Sequence, residues 1–358
     1  MKKPDKKNAD VLPIIKSSLN KTNLTDIKKD ITQIRQKLLK ETVKGNGHIL
    51  IKSGDDIIEF SQKLVENELE QILNTQTIER TKYYIRRLIK SFSEKKISKI
   101  NDLNLNRWKE YDDIITDSLW IFDKRDSSGT HKADYWGNFI PQIPNQLFRR
   151  FTKKGDWILD PFLGSGTTLI ECKRLGRNGF GVELNPKVAK STESTIKKEK
   201  NPFRVTTKIL NGNSANIEFG PELKKLKVKS FQFLIMHPPY WDIIKFSNKE
   251  DDLSNAYSAQ DFLYRFEEVV ENTCSFLEKG KFCAVVIGDK YSAGEWLPLG
   301  FYVMQVMLKK GLKLKSTIVK NFDQTAAKRN QKELWRYRAL AGGFYIFKHE
   351  YIFLFQKK

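Results

Sequence analysis

The chain has 358 residues, enough to bury a core as one large domain or two smaller ones. Charged residues make up 30% and hydrophobic residues 39%, ordinary proportions for a globular chain, and no apolar run approaches the roughly 20 residues that cross a membrane. The formal net charge of +21 favours a polyanionic partner, usually nucleic acid, although a solvated lysine-rich surface would give the same number.

Residues 1–23 are polar and basic without periodicity, and a mobile arm is expected. The opening MKKPDKKNAD leads into no apolar segment, so it does not read as a secretory signal, and a cytoplasmic protein without a membrane partner is expected. Leu24, Ile27, Ile31, Ile34 and Leu38 then recur at steps of three and four, marking one helix face. A short strand is predicted over His48–Lys52. A second helix is predicted over Ile57, Ile58, Phe60, Leu64, Val65, Leu69, Ile72 and Leu73, and a third over Tyr84, Ile85, Leu88, Ile89 and Phe92. Residues 24–114 thus read as a small helical domain without a catalytic constellation.

From about residue 115 strands and helices alternate, and residues 115–358 read as a second domain. Strands are predicted over Trp157–Leu159, Gly179–Leu184, Arg204–Ile209, Phe231–Met236, Phe282–Gly288 and Lys313–Val319, and over the apolar pair Gly343–Phe347 and Tyr351–Phe355. Helices are predicted over 166–176, Pro186–Lys198 and 259–279. The expected fold is α/β: a doubly wound, mostly parallel sheet with a C-terminal antiparallel hairpin. Cys172, Cys274 and Cys283 lie far apart with no CxxC spacing, so neither a disulfide framework nor a metal site is expected.

Two segments carry chemistry. In the first, Trp157-Ile-Leu-Asp-Pro-Phe-Leu-Gly-Ser-Gly-Thr-Thr168, a strand ends at Asp160, a glycine turn follows and a helix begins. Gly164 and Gly166 permit positive φ or close approach of a ligand, and a helix N-terminus offers free N–H groups to an anionic group. About twenty residues on, Glu183 ends the next strand, placed to accept hydrogen bonds from ribose hydroxyls. In the second, strand Phe231–Met236 runs into His237-Pro-Pro-Tyr-Trp241. Two prolines make a rigid turn that presents carbonyls, and the residue before them is held extended. Acceptors beside an aromatic ring suit a flat, amino-bearing ring.

The string DPFLGSGTT, with Glu183, closely resembles the cofactor motif of the amino-methylating DNA methyltransferases. That resemblance implies a Rossmann-like methyltransferase domain and S-adenosylmethionine as cofactor. It assigns Asp160, Phe162, Gly164, Gly166, Thr167 and Thr168 to the cofactor, with Glu183 on its ribose. Asn213 stands where the family often has an acidic residue near the adenine. The segment Tyr135-Trp-Gly-Asn-Phe-Ile-Pro-Gln-Ile-Pro144 resembles the family segment over the cofactor, with Trp136, Asn138 and Phe139 as candidates. His237, Pro238, Pro239 and Tyr240 match the catalytic turn, whose first residue in the family is Asp, Asn or Ser. His237 is therefore expected to act as a neutral imidazole, accepting one hydrogen bond, with Tyr240 stacking on a base flipped out of double-stranded DNA. His48, His131 and His349 are assigned to local structure.

Residues 309–358 hold 13 Lys or Arg and three acids. Lys328, Arg329, Arg336 and Arg338, interleaved with Trp335 and Tyr337, are candidate DNA contacts on a loop before the last hairpin. Many relatives with this glycine string place the catalytic motif first and insert target recognition between the motifs. Here the order is reversed and no large insertion separates residues 184 and 231. Recognition is expected to fall to the helical domain, the 322–342 loop, or both. The resemblance implies a site-specific methyltransferase acting on adenine N6 or cytosine N4, with adenine slightly favoured, in a restriction-modification or related system with a cognate restriction enzyme as candidate partner. Two other classes stay open: an RNA base amino-methyltransferase, and an inactive methyltransferase-like DNA-binding subunit.

Overall fold

The computed structural model describes residues 10–40, 47–53, 56–131, 135–292, 294–322 and 332–358. They form two compact units, one running to Lys99 and taking in Leu103–Asp113, the other made of Ile100–Asp102 and Ile114–Lys358.

The first unit contains α1 (Leu12–Ser18), α2 (Leu24–Lys40), β1 (His48–Ser53), β2 (Asp56–Ser61), α3 (Gln62–Leu73) and α4 (Ile78–Ser93). Its core gathers the α2 stripe of Ile27, Ile31, Ile34 and Leu38 with Val65, Leu69 and Ile72 of α3 and Ile85, Leu88 and Phe92 of α4. Thr77 caps α4, its side chain accepting from the Arg80 N–H at 3.2 Å. Two expectations are corrected. Leu12–Ser18 is a helix rather than part of an arm, because Val11, Leu12 and Ile15 form a short stripe that the core buries; residues 1–9 of that arm lie outside the described residues. Ile57, Ile58 and Phe60 belong to a strand, not a helix: β2 pairs antiparallel with β1, setting Ile58 opposite Ile51 and Phe60 opposite Ile49. Three closely spaced β-branched and aromatic residues satisfy either period, and the available partner strand decides.

The second unit contains β3 (Leu119–Trp120), α5 (Gln142–Phe151), β4 (Trp157–Asp160), α6 (Thr167–Leu175), β5 (Asn178–Glu183), α7 (Pro186–Lys198), β6 (Thr207–Asn211), α8 (Gly220–Leu226), β7 (Phe231–Met236), α9 (Ala259–Ser275), β8 (Leu277–Ile287), β9 (Lys290–Ser292), β10 (Glu295–Leu297), α10 (Leu299–Lys309), β11 (Lys313–Asn321), α11 (Lys332–Gly342) and β12 (His349–Gln356). Eight strands form one sheet in the order β3-β11-β12-β8-β7-β4-β5-β6. The run from β8 to β6 is parallel, and β12 lies antiparallel between β8 and β11. The expected α/β class, doubly wound and mostly parallel, is the observed one.

Both sheet faces are covered, so the central strands carry apolar residues on both faces. On β7, Leu234 and Met236 join one core with Phe262 and Phe266 of α9, while Phe233 and Ile235 join the other with Leu147 and Phe148 of α5. The chain adds β5 and β6 on one side of β4, then crosses to place β7 and β8 on the other. That reversal opens a crevice beyond the C-terminal ends of β4 and β7, where ligands of such sheets bind.

The C-terminal hairpin differs in detail. Residues 343–347 are not a strand. β12 pairs with β11 instead; Phe344 stacks on Tyr291 and Phe347 packs tilted against Trp296, with ring centroids 4.3 and 4.2 Å apart. Lys332–Gly342, expected as loop, is helical. The third parallel strand starts at Thr207, because Arg204 adopts φ +54° in the turn before it. Replacing Phe233, fully buried against Phe148 and Phe151, by Ala should lower stability by about 3–5 kcal/mol in urea unfolding. Tyr264→Ala, at a residue 63% exposed, should change it by less than about 0.5 kcal/mol.

Candidate active site

The crevice is a cavity of about 1110 Å³, with both sequence motifs in its wall. Asp160, Phe162, Gly164, Thr167, Glu183, Asn213, Asn138 and Phe139 line it, and so do His237, Pro238, Pro239 and Tyr240.

The glycine turn is held from both sides. The Asp160 carboxylate accepts from the Phe162 N–H at 2.9 Å and from the Thr168 hydroxyl at 2.5 Å. Gly164 has φ +52° and Gly166 φ +82°, and a Cβ on Gly166 would stand 2.6 Å from the Thr192 methyl. Both positions therefore require glycine, one for its conformation and one for space as well. Glu183 closes the loop. One oxygen accepts from the Gly164 N–H at 2.9 Å, the other from the Asn185 N–H at 2.8 Å. The Thr192 hydroxyl donates to the Gly164 carbonyl at 2.7 Å, and that of Ser214 to the Pro161 carbonyl at 2.6 Å. Asn138 reaches over the turn, its amide 2.9 Å from the Ser165 hydroxyl. Tyr135 lies against Gly164 and stacks on Phe246, centroids 6.1 Å apart.

Gly166 and Thr168 do not line the cavity. Their part is internal, Gly166 letting the turn pass α7 and Thr168 bonding Asp160. Burial pushes the Asp160 carboxyl up to about 7, with the nearby Glu183 charge adding to it, and burial likewise raises Glu183. Two desolvated carboxyls side by side suit a cationic ligand, and each Glu183 oxygen keeps a second lone pair for a hydroxyl donor. These residues fit a nucleoside that carries a positive charge. Among the described residues, no group of three His, Cys, Asp or Glu could hold a metal ion.

The second motif forms the other wall. His237 sits half-buried beside the Phe139 ring, centroids 5.1 Å apart. Its Nε2 lies 3.2 Å from the Tyr240 hydroxyl, which donates to Glu350 at 2.7 Å. Glu350 in turn pairs with Lys320 at 3.0 Å. Burial lowers the His237 pKa to about 4, the Glu350 charge opposing and the Lys320 charge assisting. That shift favours the neutral imidazole. Gly288, just after β8, leaves room for the Tyr240 ring, since a Cβ there would stand 2.8 Å from it. Trp241 takes φ +52°, unusual for a bulky residue, and is pinned by its indole N–H on the Ala256 carbonyl at 2.8 Å and by the Lys290 ammonium 3.9 Å from its ring centre.

Other candidates fall elsewhere. Arg336 and Arg338 are exposed on α11 and do not line the cavity, and Lys328 and Arg329 lie outside the described residues. Trp136 lines the cavity and is 65% exposed. His131 is buried on Glu171 at 2.8 Å, a local role, whereas His349 lines the cavity while bonding Tyr351 at 3.1 Å. The sequence reading missed Lys320 and Glu350. Glu350 stood at the start of an apolar strand, but Lys320 was one of three lysines in β11, and the partnership appears only in the register that sets Lys320 opposite Glu350.

The depressed His237 pKa has a definite sign. The unfolded chain binds this proton below about 6.5 and the folded chain only below about 4. His237 therefore adds stability above that window and loses it as pH falls through it. His237→Asn should flatten the loss of stability across this range in urea unfolding at several pH values, and an NMR titration should find the ring neutral down to about pH 5.

Comparison with known proteins follows the same lines. A DNA methylase family model matches residues 31–194, a stretch that includes the glycine turn and Glu183. The Type II methyltransferase M2.DpnII of Streptococcus pneumoniae is 28% identical over 200 residues, 53% of this chain and 75% of that protein. The Type II methyltransferase M.MjaII of Methanocaldococcus jannaschii is 36% identical over 100 residues, 26% of this chain but only 19% of that protein. Among solved structures, TrmN from Thermus thermophilus aligns with a TM-score of 0.41 and 14% identity, covering 62% of this chain and 50% of that one. Over residues 31–194 the chain is thus similar to a DNA methylase family, and over 200 residues to a Type II methyltransferase.

Proposed function

We propose that this protein transfers a methyl group from S-adenosylmethionine to the exocyclic amino nitrogen of adenine or cytosine in double-stranded DNA, as the modifying enzyme of a restriction-modification or related system. The observation that carries the reading is the cavity shared by the Asp160–Thr168 turn and the His237–Tyr240 turn. The relatives named as Type II methyltransferases support it.

S-adenosylmethionine supplies an electrophilic methyl group on a positively charged sulfur. Glu183 takes the ribose hydroxyls on its free lone pairs, and Gly164, Thr167, Phe162, Asn138 and Phe139 shape the wall around the rest. Asn213 serves the adenine end. Asp160 and Thr168 keep the turn in shape, and the two carboxyls provide the field that a cation needs.

At the other wall, the target base enters beside His237. An exocyclic amino group is a poor nucleophile, because its lone pair is delocalised into the ring. His237, held neutral, accepts one of its hydrogens, and a carbonyl of the proline turn accepts the other. This favours a pyramidal nitrogen whose lone pair can attack. With S-adenosylmethionine bound, its methyl group would pass to this nitrogen, which would then release its surplus proton to bulk water. Positioning and fixed dipoles do most of this work. The Tyr240 ring lines the base pocket, although its hydroxyl is already committed to Glu350. Arg336 and Arg338 would meet the DNA backbone.

Transfer of labelled methyl to duplex DNA, followed by nucleoside analysis, tests the reading and names the base; label confined to tRNA would sink it. His237→Ala should lower kcat by about 10²–10⁴-fold with little change in the cofactor KM, whereas Glu183→Ala should raise that KM by about tenfold or more. Burial pushes the Asp160 carboxyl up to about 7. A cationic ligand favours its ionised form, so cofactor affinity should rise with pH through neutrality, and calorimetry near pH 7 should show proton release on binding.

A further inference from the structure

Lys320 on β11 and Glu350 on β12 are 6% and 5% exposed and face each other across the antiparallel pair, deep in the cavity wall. A buried ion pair is no safe source of stability, because desolvating two charges offsets most of their attraction. Its placement does have a chemical consequence, through the count of hydrogens.

The Tyr240 hydroxyl has one hydrogen, and it goes to Glu350 at 2.7 Å. The same oxygen lies 3.2 Å from Nε2 of His237. With its hydrogen committed, the hydroxyl can only accept, so Nε2 must carry the proton that makes this contact a hydrogen bond. A neutral imidazole has one N–H, which leaves Nδ1 with a bare lone pair. We propose that the Lys320–Glu350 ion pair, acting through Tyr240, fixes His237 in the Nε2–H tautomer and so keeps Nδ1 as the acceptor offered to the amino group of the target base.

Each member has a part in this. Lys320 pairs with the Glu350 carboxylate at 3.0 Å and holds it in place as the acceptor of the tyrosine hydrogen; were a donor to stand there instead, the relay would reverse. The tyrosine hydrogen would turn to Nε2, the imidazole proton would move to Nδ1, and an N–H would face an amino group that is itself a donor. Lys320 and Glu350 are therefore positioning residues, while His237 touches the substrate. The last step rests on the proposed role of His237, but the tautomer belongs to the protein alone.

The test uses the full chain with ¹⁵N-labelled histidine, without cofactor or DNA. Long-range ¹H–¹⁵N correlation at neutral pH reads the tautomer, with His237→Gln used to assign the signal. The expected wild-type signal is Nε2–H. Glu350→Gln, whose amide can donate to Tyr240, should introduce the Nδ1–H form and lower kcat by at least about tenfold, leaving KM for cofactor and DNA within about twofold. The double variant Lys320→Met/Glu350→Gln leaves no charge unpaired and should show the same change. An Nδ1–H tautomer in the wild-type protein, or one unmoved in both folded variants, overturns the proposal. A tautomer that switches while kcat holds keeps the relay and overturns the reading of His237 as acceptor.

Discussion

The pairing of β4 with β7 is the contact on which the rest depends. It sets Ile158 opposite Phe233 and Leu159 opposite Leu234, so Asp160 and His237 leave the sheet at the same end. Strand order reverses here, and the loops after the two strands separate into a crevice instead of packing together. A slip of one residue would turn the alternating side chains of β7 to the wrong layers, setting Leu234 and Met236 against α5 rather than α9. Core packing and site geometry are thus fixed by the same register.

The two ends of the cavity differ electrostatically. At the glycine turn, Asp160 and Glu183 are desolvated carboxyls held up in pKa by burial, an environment that a cation would relieve. At the proline turn, burial works on a base rather than an acid and keeps His237 neutral. On the proposed reading this division matches the reactants, a positively charged methyl donor facing a neutral amino group. Burial does both jobs, and the neighbours of each group decide what burial means there.

Much of this was legible in the sequence because its strongest signals are local. A strand, a glycine turn and a helix N-terminus lie in one unbroken segment at Trp157–Thr168, and two adjacent prolines fix the His237–Tyr240 turn without help from elsewhere. The Ile27–Leu38 stripe and the apolar strands β7 and β12 were readable by their periods. What escaped depends on partners outside the segment itself. Ile57–Phe60 became a strand because His48–Ser53 was there to pair with it. Phe344 and Phe347 lie outside the sheet, packed on Tyr291 and Trp296. Lys320 and Glu350 looked like stray charges until the register paired them.

On the proposed reading the two turns together methylate DNA at an amino nitrogen. Methylome sequencing of a bacterial host expressing the intact protein, beside a host expressing His237→Ala, tests it most directly. N6-methyladenine or N4-methylcytosine at a defined sequence motif, present with the intact protein and absent with the variant, is the predicted result. A folded, cofactor-binding protein that leaves the host DNA unmodified, or a methylation pattern unchanged by His237→Ala, would contradict it.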